Sequence, residues 1–236
     1  MADPSTWTVL PHGPIRQLAE NLWHVSGNLS FGTLKRAMTV AKRADGKLVV
    51  HSAIAMNEAE MKSLEALGEL SYLVVPNAIH RLDAAKYKAR YPHLKVYAPR
   101  GSRKKVEEVV AVDGTYEDFP ADDAVALDRI RGVGGAEGVM RAHSNDGVSL
   151  VFCDAVFNMD KKEDLFGWLF TTLLGSAPGP RVSRLAKLAL VKDKKLLRAE
   201  LERLAETPDL ERVIVSHEKI ASGPDAKRTL LQAATF

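Results

Sequence analysis

The sequence predicts an α/β (α+β) protein built as a four-layer αββα sandwich, in which two β-sheets pack together and helices cover both outer faces. Two blocks of strand-like segments occur, one in the first third of the chain and one over residues 124–157. Strands that alternate with helices of about ten residues separate the blocks, and a helix–strand–helix series follows the second block. Periodicity alone leaves a doubly wound single sheet as the alternative.

The first block is predicted to hold a β-hairpin followed by a helix. Its strand segments are residues 22–27, 35–42 and 47–53. The second and third strands flank Asp45 and Gly46, a pair that is typical of a tight hairpin turn. Asn57 is a good N-cap, and Glu60 three residues later completes the pattern of a capping box. A helix is therefore predicted from Asn57 to the closing Gly68.

The remaining elements follow from short apolar runs, helical periodicity and the Pro and Gly residues between them. The predicted strands are residues 72–75, 95–98, 124–130, 138–142, 148–157 and 212–216. The predicted helices are residues 82–91, 102–110, 165–174, 182–205 and 223–234. The helix over 182–205 is the longest, and it carries many Lys and Arg side chains that we expect to form a solvated outer face.

Composition limits the class of protein. The chain has 236 residues, 46% of them hydrophobic and 27% charged, which fits a single globular domain over residues 1–236. The lone Cys153 excludes an intrachain disulfide and a Cys-based zinc finger. A net charge of +3 is too weak to indicate a nucleic-acid partner. The sequence has no apolar run of about 18 residues and no secretory signal pattern, so we expect a cytoplasmic protein without an integral membrane segment.

Polar side chains that can bind a metal lie at the ends of several predicted strands. His80, His143 and His217 each follow an apolar strand, and Asp154 lies inside another. Three imidazoles and one carboxylate are sufficient to hold a zinc, manganese or iron ion. Each histidine alone is more typical of a surface or cap position. A buried carboxylate needs a cation, a metal or backbone donors, so Asp154 is the strongest of the four candidates.

Several segments resemble the metallo-β-lactamase-fold superfamily, and in particular a bacterial and plant branch with a Pro-Asn-x-x-His form of the first metal motif. The matching segments are LWHVSG, KLVVHSA, YLVVPNAIH, YPHLKVYAPRG, SLVFCDAVFN and VIVSHE, and the resemblance covers residues 15–232. It implies the αββα sandwich and a metal-dependent hydrolase. The superfamily motif His-x-His-x-Asp-His is replaced here by residues 77–83, in which His80 is the one histidine and Asp83 is out of register.

The resemblance implies a metal site formed by His80, His143, Asp154 and His217. These are too few ligands for two metals, so we expect at most one ion, zinc before iron or manganese, or none. Asp154 or Asp83 would activate water to attack a small ester, lactone, thioester or phosphoester. The alternatives are a metal-free pseudo-enzyme or small-molecule binding module on the same fold and, less favoured, a metal-dependent oxidoreductase. The sequence does not give the oligomeric state.

Overall fold

A computed structural model describes residue 3, residues 5–29 and residues 33–236 of the chain. The strands are β1 (Arg16–Ala19), β2 (Leu22–Asn28), β3 (Lys35–Lys42), β4 (Lys47–His51), β5 (Glu69–Val74), β6 (Lys95–Ala98), β7 (Gly114–Thr115), β8 (Val125–Arg129), β9 (Gly138–Ser144), β10 (Gly147–Val151), β11 (Phe157–Met159), β12 (Gly179–Arg181), β13 (Leu210–Ile214) and β14 (Ala221–Ser222). The helices are α1 (Glu58–Glu65), α2 (Ala84–Arg90), α3 (Arg103–Val106), α4 (Leu165–Trp168), α5 (Arg184–Ala189), α6 (Lys194–Ala205) and α7 (Pro224–Ala233).

These strands form two main sheets. The first sheet has seven strands in chain order from β1 to β7, antiparallel as far as β4 and parallel from β4 onward. The second has five strands in the order β14-β13-β10-β9-β8, of which β10 and β13 are parallel and the other pairs antiparallel. Strands β11 and β12 form a separate antiparallel pair. The predicted alternative of one doubly wound sheet is therefore wrong.

Three apolar layers hold the sheets and helices together, which confirms the αββα architecture. The middle layer lies between the sheets and joins Val49 and Val74 of the first to Met140 and Ile214 of the second. One outer layer packs α1, α2 and α3 on the first sheet. The other packs α5, α6 and α7 on the second sheet. No helix in the described part of the chain has the length and apolar character needed to cross a bilayer.

Helix α1 begins where the sequence predicts. The side chain of Asn57 accepts a hydrogen bond of 3.0 Å from the backbone nitrogen of Glu60, as an N-cap should. The Glu60 carboxylate does not return to the cap as a capping box requires. It accepts from the backbone nitrogen of Ile15 at 2.9 Å instead, and so ties the N-terminal segment to the first layer of helices.

Four predicted elements differ from the structure in extent or in type. The predicted strand over 148–157 ends at Val151, and the predicted helix over 102–110 is reduced to α3. The predicted helix over 182–205 is two helices, α5 and α6, separated by residues 190–193. The apolar helix over 165–174 begins as α4 and continues as a π-helical turn over Leu169–Leu173.

Candidate metal centre

A cavity of about 360 Å³ opens where strands of both sheets end. Its polar lining includes His80, which follows β5 of the first sheet, and Asp154 and His217, which follow β10 and β13 of the second. Ser52, directly after β4, lies in the same lining. The site therefore forms where loops at strand ends of an α/β scaffold converge, as the sequence predicts.

Two imidazoles face one carboxylate oxygen at equal distance. Nε2 of His80 and Nε2 of His217 each lie 3.4 Å from Oδ1 of Asp154, and the two rings are 5.3 Å apart. Tetrahedral zinc with bonds of about 2.0–2.1 Å separates its ligand atoms by about 3.3–3.4 Å. An N–H···O hydrogen bond is shorter, at about 2.7–3.2 Å. Each of these two nitrogen–oxygen distances therefore fits a pair of ligands of one ion better than a direct hydrogen bond.

The orientation of His217 supports the same interpretation. Its Nδ1 lies 2.7 Å from the backbone oxygen of Lys35, which can only accept, so Nδ1 must donate. In a neutral ring Nε2 then carries a lone pair, and this lone pair is directed at the carboxylate of Asp154. Two such acceptors need a proton or a cation between them. The Phe157 ring stacks on His217 at 5.3 Å and fixes the plane of the imidazole.

His80 is positioned by the turn that follows β5. The side-chain oxygen of Asn77 accepts from the backbone nitrogens of Ile79 at 2.8 Å and His80 at 2.9 Å. Nδ1 of His80 lies 3.3 Å from the hydroxyl oxygen of Ser52. Asn77 also donates from Nδ2 to Oδ2 of Asp154 at 2.8 Å. One amide side chain therefore orients both the histidine and the carboxylate.

Glu137 is a buried carboxylate that sequence reasoning missed. Its two oxygens accept from the backbone nitrogens of Cys153, Asp154 and Ala155 at 2.9–3.0 Å, and one of them also accepts from Nδ2 of Asn77 at 3.2 Å. These bonds bend the chain away from β10 and explain why the predicted strand ends early. Burial, followed by the nearby charge of Asp154, raises the pKa of Glu137 above its usual range.

The pKa of the neighbouring Asp154 shifts in the opposite direction. Burial by itself would raise its pKa, but the adjacent His80 and His217 outweigh burial and hold the pKa of Asp154 well below its usual range. Asp154 is thus the anionic member of the carboxylate pair. A deprotonated carboxylate is what a metal ligand requires.

The structure does not bring His143 to the site, which corrects the four-ligand expectation. His143 is exposed on β9, opposite Val148 of β10, and its backbone oxygen accepts from Asn21. Val148 precedes Asp154 by six residues and lies near the start of β10, whereas Asp154 follows its end, and the lining of the cavity does not include His143. The same antiparallel register, continued past Met140 and Val151, leads to Glu137 opposite Asp154.

Asp83 is also separate from the cavity, which corrects its expected role as a water-activating residue. Its side chain is 1% exposed and forms ion pairs with Arg36 and, at 2.7 Å, with Lys86. It also accepts a hydrogen bond from the backbone nitrogen of Ala55 at 2.9 Å. Asp83 joins α2 to the segment after β4, and the lining of the cavity does not include it.

Two further groups lie behind the three candidate ligands. Cys153 is fully buried, and a ligand atom from each of His80, Cys153 and Asp154 falls within 4.8 Å of the others. The Cys153 sulfur accepts from the hydroxyl of Ser216 at 3.0 Å. His51 is buried beside His80, and burial together with that neighbour lowers the pKa of His51 to about 3. His51 is therefore uncharged at neutral pH.

Comparisons with known proteins give the fold. No protein-family model and no curated protein matches the chain. Among solved structures, the DIM-1 metallo-β-lactamase exposed to ceftazidime is similar over 96% of this chain and 98% of its own, with 14% identity and a TM-score of 0.65. The FIM-1 metallo-β-lactamase from Pseudomonas aeruginosa, in its mono-zinc form, is similar over 99% and 97%, with 12% identity and a TM-score of 0.61. On this evidence the chain has the metallo-β-lactamase fold.

Proposed function

We propose that the protein is a metal-dependent hydrolase that binds a single divalent ion through His80, Asp154 and His217. Zinc is the preferred ion, ahead of iron or manganese. The observation that carries the proposal is the equal 3.4 Å separation of both histidine Nε2 atoms from one carboxylate oxygen. Three protein ligands with a further position for water or substrate are the usual complement of a catalytic zinc.

The surrounding residues hold these ligands in place. Asn77 binds the second oxygen of Asp154, which leaves Oδ1 for the metal. Glu137 fixes the backbone of Asp154, and Lys35 fixes the tautomer of His217 through its backbone oxygen. When bound here, zinc supplies a Lewis acid and a source of hydroxide at neutral pH. Hydrolysis adds the OH of water to the acyl or phosphoryl centre and its proton to the leaving alcohol or thiol.

One ion fits the donors better than two. The side-chain amide of Asn77 is committed through both its oxygen and its nitrogen, and both carboxylate oxygens of Glu137 accept from the backbone. Neither side chain therefore has an uncommitted atom left to act as a ligand of a second metal ion in a dinuclear site. The substrate is a small ester, lactone, thioester or phosphoester.

Metal content tests the proposal directly. Protein that has been stripped with chelator and equilibrated with zinc should hold one zinc per chain by elemental analysis. Asp154→Asn and His217→Ala should each weaken zinc binding by at least about 100-fold, because each removes a ligand and leaves two. His143→Ala removes an exposed histidine outside the site and is the matched control. Zinc should also raise the thermal unfolding midpoint of the wild type but not that of Asp154→Asn.

The outcomes separate the proposal from its alternative. Failure of the wild type to bind zinc, iron or manganese would overturn the proposal in favour of a metal-free binding module. Equal loss of zinc in His143→Ala and His217→Ala would also overturn the proposed ligand set. Bound iron with redox turnover would favour an oxidoreductase. Zinc binding with hydrolysis of an ester, lactone, thioester or phosphoester in a substrate panel is the expected result.

A further inference from the structure

The cavity beside the three ligands is apolar over most of its lining. Its volume of about 360 Å³ lies toward the small end of the range for ligand pockets, about 300–1,000 Å³. Its apolar lining includes Leu29, Leu34, Phe157, Phe170, Leu185 and Leu190. Phe157 and Phe170 both contact the His217 ring, with centroids at 5.3 and 5.5 Å. The apolar lining therefore begins directly at the candidate metal ligands.

The apolar lining continues to the surface. Ile79 and Leu82 line the cavity and are 63% and 52% exposed. Covering these two aliphatic side chains with an apolar ligand would remove apolar surface from water, which favours binding. A ligand that extends from His80 and His217 toward the mouth would cover both, in addition to the buried leucines and phenylalanines.

The described lining offers no free cationic side chain to a strongly anionic ligand. Arg36 is the one Lys or Arg among the described lining residues, and its guanidinium forms an ion pair with Asp83 and donates to the backbone oxygen of Ala53 at 3.2 Å. An uncharged hydrocarbon group matches this lining best.

Building on the hydrolase proposed above, we infer that the substrate is an ester or thioester with an uncharged, extended acyl chain. The acyl chain of the substrate lies along the leucines and phenylalanines of the cavity, and its carbonyl carbon lies at His80, Asp154 and His217. Water then supplies OH to the acyl carbon and a proton to the departing alcohol or thiol, and the acyl–oxygen or acyl–sulfur bond breaks. Each methylene that enters the cavity should strengthen binding about fourfold until the cavity is full.

Binding to the metal-free protein tests the cavity without depending on catalysis. N-phenyl-1-naphthylamine, an uncharged fluorescent probe, should bind and be displaced by 2-alkanones, whose potency should rise about fourfold per methylene from four carbons up to a plateau. Ala189→Phe places a ring in the cavity from an exposed position of α5, so it should reduce probe binding without unfolding the protein. Ala59→Phe makes the same change at an exposed position of α1 outside the cavity and is the matched control.

Hydrolysis by the zinc-loaded protein tests the substrate class. Across p-nitrophenyl esters from acetate to decanoate, kcat/KM should rise with chain length, and a terminal carboxylate on the acyl chain should abolish the gain. If neither the potency of the alkanones nor kcat/KM for the esters changes with chain length, the inference is wrong. It is also wrong if the ester with the terminal carboxylate is the preferred substrate. Chain-dependent alkanone binding without hydrolysis of any ester overturns the proposed hydrolase and leaves the apolar ligand site standing.

Discussion

Asp154 and Glu137 are two carboxylates buried side by side, and each has a different set of partners. Both accept from the side-chain amide of Asn77, but Glu137 also receives three backbone N–H groups, whereas Asp154 faces two imidazoles. Burying a charge without partners costs several kcal/mol, roughly, so these contacts are a condition for the fold. The contrast assigns roles to the two residues. Glu137 shapes the loop, and Asp154 presents its charge to whatever lies between the histidines.

His24 gives a pH dependence of stability that is independent of the site. It is buried on β2, and burial together with the positive charge of Arg16 lowers its pKa from 6.5 to about 4. Between these two values the unfolded chain binds the extra proton and the folded chain does not. Stability therefore falls as pH decreases through this window, by about 3 kcal/mol at its lower end.

Substitution of His24 tests that pH dependence. His24→Gln cannot take up the proton, so its free energy of unfolding should decrease less between pH 7 and pH 4.5 than that of the wild type, as measured by urea denaturation at both pH values. His143→Gln, at an exposed position on β9, is the control and should follow the wild type. Identical pH dependence of His24→Gln and wild type would contradict the assignment.

The candidate site could be predicted in part from the sequence. His80 and His217 stand out because each follows a predicted apolar strand, and Asp154 because it lies inside one, and the structure brings all three to one cavity. Glu137 carries no such signal, since it precedes a strand. The turn over residues 145–147 and the antiparallel register that it sets would have placed Glu137 opposite Asp154 and His143 far away. Strand register, rather than residue type, was the missing information.

At the scale of elements, the division between α5 and α6 comes from a contact that is distant in sequence. The backbone nitrogens of Lys192 and Asp193 donate to the backbone oxygen of Gly132 at 2.8 and 3.0 Å, which interrupts the helical hydrogen bonds. Gly132 has φ of +88°, and a Cβ there would collide with the backbone nitrogen of Leu197. The helical pattern over residues 182–205 is real, but it cannot reveal this contact with the loop before β9.

The start of α6 offers an element-scale prediction. The Asp193 side chain accepts a hydrogen bond of 2.9 Å from the backbone nitrogen of Leu196 and caps the helix. Asp193→Ala should therefore lower the free energy of unfolding by about 1 kcal/mol, as measured by urea denaturation at pH 7. Asp193→Asn keeps an oxygen acceptor in place and should retain most of the stability. Equal losses in the two variants would show that the cap is not responsible.

At the scale of the molecule, the candidate site depends on both sheets. His80 follows a strand of the first sheet, and Asp154 and His217 follow strands of the second. The order of elements in the sequence predicts the two sheets and their outer helices. It does not predict that β13 lies beside β10, because the two are joined by a long segment that contains α4, α5 and α6. That parallel pairing brings His217 to Asp154 and completes the site.

Cys153 is the single cysteine of the chain, and it is buried. The rate at which its thiol reacts therefore measures how often the layers around it separate. Burial, followed by the charges of Asp154 and Glu137, raises the pKa of the Cys153 thiol well above its usual range. In the native protein at pH 8, modification by Ellman's reagent should be at least about a thousandfold slower than in urea-unfolded protein, because it requires an opening of the structure. Zinc, by linking the two sheets, should slow it further. Modification at the same rate in native and unfolded protein would mean that the layers separate freely around the site.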